Sequence, residues 1–102
     1  MLIHLENANQ FNELVSKGVV LVDFFATWCG PCKMLSPELE KLSQETDVTI
    51  IKVDVDEFGQ LAATYNVRAV PTLVLFKDGE PVAIGTGFKP LPSLLQFVNQ
   101  AK

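Results

Sequence analysis

The stretch Val19-Val20-Leu21-Val22-Asp23-Phe24-Phe25-Ala26 limits the possible folds of this chain more than any other. It is β-branched and aromatic, holds a single acid, and does not alternate between polar and apolar positions. That pattern does not suit a half-exposed strand or an amphipathic helix. It suits a central strand covered on both faces. Such a strand needs partner strands on either side and helices above and below. The chain of 102 residues is long enough to supply them as one domain, expected to run from 1 to 102.

The remaining elements follow from local signals. Leu2 to Leu5 can form a short first strand. Asn7 can cap a helix running to about Lys17, with Phe11, Leu14 and Val15 inward and Gly18 ending it. Leu35, Leu39 and Leu42 fall at i, i+4 and i+7, which predicts a helix to about Glu45 with a kink at Pro37. Residues 48 to 55 read as a second buried strand, 58 to 65 as a short helix, and 73 to 76 as a third strand. Asp78-Gly79 signals a hairpin turn, and Pro81 restricts the returning strand to an edge. Leu91, Leu94, Leu95 and Val98 mark a final amphipathic helix. The order βαβαβαββα predicts an α/β fold, a central mixed five-stranded sheet flanked by four helices.

The net charge of -4 argues against nucleic acid or an anionic membrane surface as the main partner. No apolar run approaches the roughly 20 residues of a membrane-spanning helix. Met1 to Leu5 is followed at once by Glu6 and Asn7, without a basic region or cleavage signal, so a cytoplasmic location is expected.

The only two cysteines stand three apart, in Cys29-Gly30-Pro31-Cys32, between the buried strand and the long helix. Residues i and i+3 at a helix start can close a disulfide without large movement. Pro31 fits the first helical turn, and Gly30 leaves room for another backbone. Cys29 at the helix N-terminus would meet free N–H groups and the positive end of the dipole, both of which favour a thiolate. Cys32, one turn in, is expected to be less accessible. Cys29 is then the attacking sulfur and Cys32 the resolving one. Two other readings are weaker. Zinc wants about four ligands, and the chain adds only His4 and carboxylates. A purely structural bridge over so short a loop would constrain little. No metal site is expected.

Around the pair, Asp23 is either a strand-end acid reaching water or a buried carboxylate able to accept a proton from Cys32. Lys52 follows Ile51 in the second buried strand, although most lysines are solvated. Pro71 must lie just ahead of a central strand, because it has no N–H for the ladder. Trp28 is either core or part of an exposed rim.

Trp28-Cys29-Gly30-Pro31-Cys32-Lys33, following Val22-Asp23-Phe24-Phe25-Ala26, resembles the active-site segment of the thioredoxin family. The likeness continues through Val53-Asp54-Val55-Asp56, Val70-Pro71-Thr72, Phe76-Lys77-Asp78-Gly79 and Gly85-Thr86-Gly87, essentially the whole chain. The resemblance implies a thioredoxin fold and a protein dithiol–disulfide oxidoreductase working through a Cys29–Cys32 disulfide, with no bound cofactor. It implies that Asp23 accepts a proton and that Lys52 lies beside it and tunes its charge. It implies a cis Val70–Pro71 bond, with the Val70 backbone pairing to substrate. Trp28, Gly30, Pro31, Val70, Pro71, Thr72, Gly79 and Gly87 would then form the docking surface. The implied partners are disulfide-containing proteins and a flavin-containing, NADPH-dependent thioredoxin reductase, with the chain expected to act as a monomer. An oxidant or isomerase domain of the same fold and a redox-idle binding module are the alternatives.

The chain departs from the family pattern in places. Phe25 stands where a second tryptophan is frequent, leaving Trp28 as the only one. Thr27 replaces a common Glu or Pro, and Asn66 a common Gly. Phe88-Lys89-Pro90-Leu91-Pro92 replaces a polar helix cap, which leaves the start of the last helix without an evident N-terminal partner.

Overall fold

The computed structural model describes every residue from Met1 to Lys102. Five strands form one sheet: β1 (Leu2–His4), β2 (Val19–Phe25), β3 (Thr49–Asp54), β4 (Thr72–Lys77) and β5 (Glu80–Thr86). Their order across the sheet is β1-β3-β2-β4-β5. The first three run parallel; β4 and β5 are antiparallel to their neighbours. The apolar run Val19–Phe25 is therefore the central strand, as its composition requires.

Four helices complete the fold: α1 (Phe11–Leu14), α2 (Gly30–Glu45), α3 (Gly59–Thr64) and α4 (Leu91–Asn99). Side chains alternate along each strand, so the sheet carries two cores. On one face Leu21, Ile50, Leu73 and Leu75 pack with Leu35, Leu39 and Leu42 of α2 and Leu94 and Val98 of α4. On the other Val22, Phe24, Val53, Val74 and Phe76 pack with Phe11 of α1 and Ala62 of α3. No helix is long and apolar enough to cross a membrane.

Several boundaries differ from the sequence reading. Asn7 does cap: its Oδ1 accepts the Asn9 N–H at 2.9 Å. The cap opens a 3-10 turn at Ala8–Gln10, and α1 stops at Leu14 rather than Lys17. There the Ser16 hydroxyl donates to the Glu13 carbonyl at 2.6 Å, an alternative to helical pairing. The α2 helix runs through Pro37 without interruption. Asp78 and Gly79 have φ of 49° and 88°, the paired positive values that a two-residue hairpin turn needs.

The last helix is capped from a distance. Pro90 offers no capping side chain, and Pro92 sits in the first turn. The Leu91 N–H instead donates to Glu38 Oε1 of α2 at 2.9 Å, while Glu38 Oε2 holds Lys41 Nζ at 3.0 Å. The Leu91 N–H first, then Lys41, holds the Glu38 carboxyl below its ordinary range. A depressed folded value contributes stability above the carboxylate range and loses it as pH falls through that range. Glu38→Ala is expected to lower the thermal midpoint by a few degrees at pH 7 and to cost nothing in acid. Calorimetry across pH checks this, and a pH-independent loss would point to packing instead.

Candidate active site

The redox pair sits where β2 gives way to α2. Cys29 is the N-cap of α2, with extended backbone, and Cys32 lies in the first turn. The two are joined as a disulfide, with Cα atoms 5.2 Å apart. The Cys32 N–H donates to Cys29 Sγ at 3.1 Å, so the cap contact is made by sulfur itself. Pro31 falls in the first helical turn, where its missing N–H is harmless.

Exposure does not separate the two cysteines. Both are 4% exposed, contrary to the expectation that Cys29 would be the accessible one. In the disulfide form both cysteines belong to one small cluster with Ala26, against Phe25, Val55 and Val70. Their surroundings do differ. Cys29 Sγ lies 3.6 Å from the Val70 carbonyl oxygen, beside the loop that carries Pro71. Cys32 faces a cavity of about 200 Å³ behind the helix start, which Lys52, Ser36 and Lys33 also line.

The Val70–Pro71 peptide bond is cis. Thr72 begins β4, and its hydroxyl donates to the Ala69 carbonyl at 2.6 Å, closing the loop on itself. The Gly87 N–H donates to the Pro71 carbonyl at 2.9 Å, which brings the end of β5 to the same place. Gly87 has φ of 86°, a conformation that favours glycine.

Trp28 is 69% exposed, and its indole N–H donates to Asp56 Oδ2 at 2.9 Å. The indole forms one side of a groove of about 410 Å³, completed by Val55, Val67, Arg68, Ala69 and Val70. A Cβ at Gly30 would meet nothing within 4 Å, so this position opens on free space.

Asp23 is fully buried on the α2 face of the sheet, and neither carboxylate oxygen has a hydrogen-bond partner. Burial pushes its carboxyl up to about 6, partly offset by the nearby Lys52 ammonium. Lys52 stands directly opposite Asp23 in the β2–β3 register. Its Nζ nevertheless donates to Ser36 Oγ at 2.6 Å and lies 4.9 Å over the Phe25 ring.

Gly79 does not belong to this constellation. Lys77, two residues before it, pairs with Val19 at the start of β2, whereas Cys29 follows the end of that strand. The length of β2 separates them, about 20 Å at ~3.3 Å per residue. A Cβ at Gly79 would approach Ser16, not the cysteines. Its glycine serves the hairpin turn, and it leaves the docking rim. Sequence reasoning missed Ser36, Asp56, Val67 and Ala69. Asp56 lies in the family-like segment Val53-Asp54-Val55-Asp56 but is given no role by it, and no local pattern marks the other three.

No group of three or more His, Cys, Asp or Glu residues is placed to hold a metal ion. The thioredoxin family profile matches residues 2–100. The chain belongs to the thioredoxin family. It is 50% identical over 92 residues to the thioredoxin of Bacillus subtilis, covering 88% of both chains. It is 45% identical over 100 residues to that of Chlamydia caviae, covering 97% of this chain and 98% of the other. A mutant thioredoxin from Halobacterium salinarum superposes with a TM-score of 0.92 at 42% identity, covering 98% of this chain and 89% of that one. The reduced thioredoxin pre-protein of Schistosoma mansoni gives 0.91 at 36% identity, covering 99% and 98%. The fold is a thioredoxin fold, and the disulfide-forming pair makes the chain a general protein dithiol–disulfide oxidoreductase.

Proposed function

We propose that the 102-residue chain acts as one monomeric, cytoplasmic domain that reduces protein disulfides, with Cys29 as the attacking sulfur and Cys32 as the resolving one. The observation that carries this assignment is the Cys32 N–H directed at Cys29 Sγ at the start of α2. A donor and a helix N-terminus both favour negative charge on that sulfur. In the reduced protein the Cys29 thiolate attacks a substrate disulfide. A Cys29–substrate bond forms, and the first substrate sulfur leaves as a thiolate and takes up a proton. Cys32 then gives its proton to Asp23 and attacks Cys29 Sγ. The mixed disulfide breaks and the second substrate sulfur leaves. Two electrons pass to the substrate, and the Cys29–Cys32 disulfide remains.

Asp23 suits the acceptor role because its carboxyl, at about 6, can exchange a proton near neutral pH. Lys52, on the same face, tunes it. Substrate docks against Trp28, Gly30, Pro31, the Val70-Pro71-Thr72 loop and Gly87. The exposed indole and the apolar groove beside it support this reading. The protein carries no bound cofactor, and an NADPH-dependent thioredoxin reductase restores the dithiol.

Equilibration against the glutathione couple tests whether the pair acts as a reductant. The reductant reading requires the Cys29–Cys32 disulfide to stay oxidised until reduced glutathione is in very large excess over its disulfide. Ready reduction by a small excess would make the chain an oxidant or isomerase.

A further inference from the structure

The buried polar groups beside the redox pair are arranged in an unexpected way. Asp23 and Lys52 project from adjacent strands at the same register position and on the same face. Opposite charges in a poorly screened interior attract strongly. Yet the protein's one ion pair joins Lys41 to Glu38, and both Asp23 oxygens are without a partner. The Lys52 ammonium is occupied elsewhere, by Ser36 Oγ at 2.6 Å and the Phe25 ring at 4.9 Å. Ser36 follows Cys32 by four residues, so the two share a face of α2. Both line the cavity that Lys52 enters.

We propose that Ser36 is a positioning residue for the exchange reaction: its hydroxyl, with the Phe25 ring, holds the Lys52 ammonium off Asp23, leaving that carboxyl free to take the proton of Cys32. The inference rests on Asp23 being the proton acceptor. The other groups near Asp23 do not supply this control. On the β4 side its register partner is Leu73. The core on the same sheet face takes Leu94, Phe97 and Val98 from α4, and Lys89 is held over the Phe97 ring at 5.4 Å. On the α2 side Cys32, Lys33 and Ser36 line the cavity that Lys52 enters. Lys52 is the charge able to reach the carboxylate, and Ser36 is its hydrogen-bond acceptor.

Removing the hydroxyl should let the ammonium swing to the carboxylate, which would then hold its proton less tightly. The test follows the Asp23 side-chain carboxyl carbon by NMR through a pH titration of the oxidised protein. The variants are Ser36→Ala, Ser36→Thr, Lys52→Met and the Ser36→Ala/Lys52→Met double. Alanine is well tolerated in a helix, so the fold should survive. Ser36→Ala should lower the Asp23 midpoint by about half a pH unit or more, roughly a threefold loss of proton affinity. Ser36→Thr should restore it, and Ser36→Ala should have no effect once Lys52 is methionine. A midpoint unchanged or raised in Ser36→Ala, or the same fall without the lysine, would overturn the proposal. The single-turnover rate of the resolving step in Asp23→Asn is read separately. An unaffected rate would remove Asp23 as acceptor, while the titration still reports whether Ser36 restrains Lys52.

Discussion

Asp23→Asn is expected to make the protein more stable at neutral pH while slowing its chemistry. The unfolded carboxyl ionises near its ordinary 3.8, whereas the folded one keeps its proton to about 6. Between those values the unfolded chain binds fewer protons than the native one, so native stability falls as pH rises through that window and is lowest above it. The gap corresponds to about 3 kcal/mol, a large fraction of the stability of a protein this size. Asparagine mimics the protonated acid in shape and never ionises. The variant should therefore match the parent near pH 4 and exceed it by up to about 3 kcal/mol at pH 7. Urea unfolding midpoints of both proteins across that range provide the check, and a constant difference would remove the burial argument. In the same variant the resolving step should slow by about 10²-fold or more near neutral pH, the low end for a positioned base. Stability would then have been given up for a proton acceptor at a buried site.

The second large effect separates the two sulfurs. Cys32→Ser should attack a protein disulfide once and stop, accumulating a mixed disulfide through Cys29. Cys29→Ser should form no such adduct, because Cys32 lies within the helix and faces the cavity that Lys52 enters. Non-reducing electrophoresis and mass spectrometry of the adduct distinguish the two. Adducts of equal yield from both variants would mean that the equal burial of the cysteines, and not their place on the helix, governs attack. Turnover should be lost in both variants.

Much of the fold was readable because its signals are local. The unbroken run from Val19 to Ala26 could only be a covered strand. Asp78-Gly79 specified a turn through two positive φ angles, and Leu35, Leu39 and Leu42 marked the buried stripe of α2. What the sequence withheld depends on contacts between distant segments. Glu38 caps a helix that begins 53 residues later, so the bare Pro90 gave no hint of its partner. Gly79 matched a family pattern, but the register of β4 against β2 carries it to the far end of the sheet. Cys29 and Cys32 are equally buried in the disulfide form, with the Val70 carbonyl 3.6 Å from Cys29 Sγ, a long-range contact the motif alone does not convey. The same holds for Ser36, whose significance comes only from Lys52 reaching across from β3.

The Cys29–Cys32 pair passes two electrons to the disulfides of other proteins. The most direct test of this transfer is a stoichiometric one: the reduced protein, freed of other reductants, is mixed with insulin, and thiols on each partner are counted over time. Each protein molecule should lose two thiols as the Cys29–Cys32 disulfide re-forms, while insulin gains two. A protein that keeps its dithiol in the presence of insulin, or loses it without any thiol appearing on insulin, would contradict it.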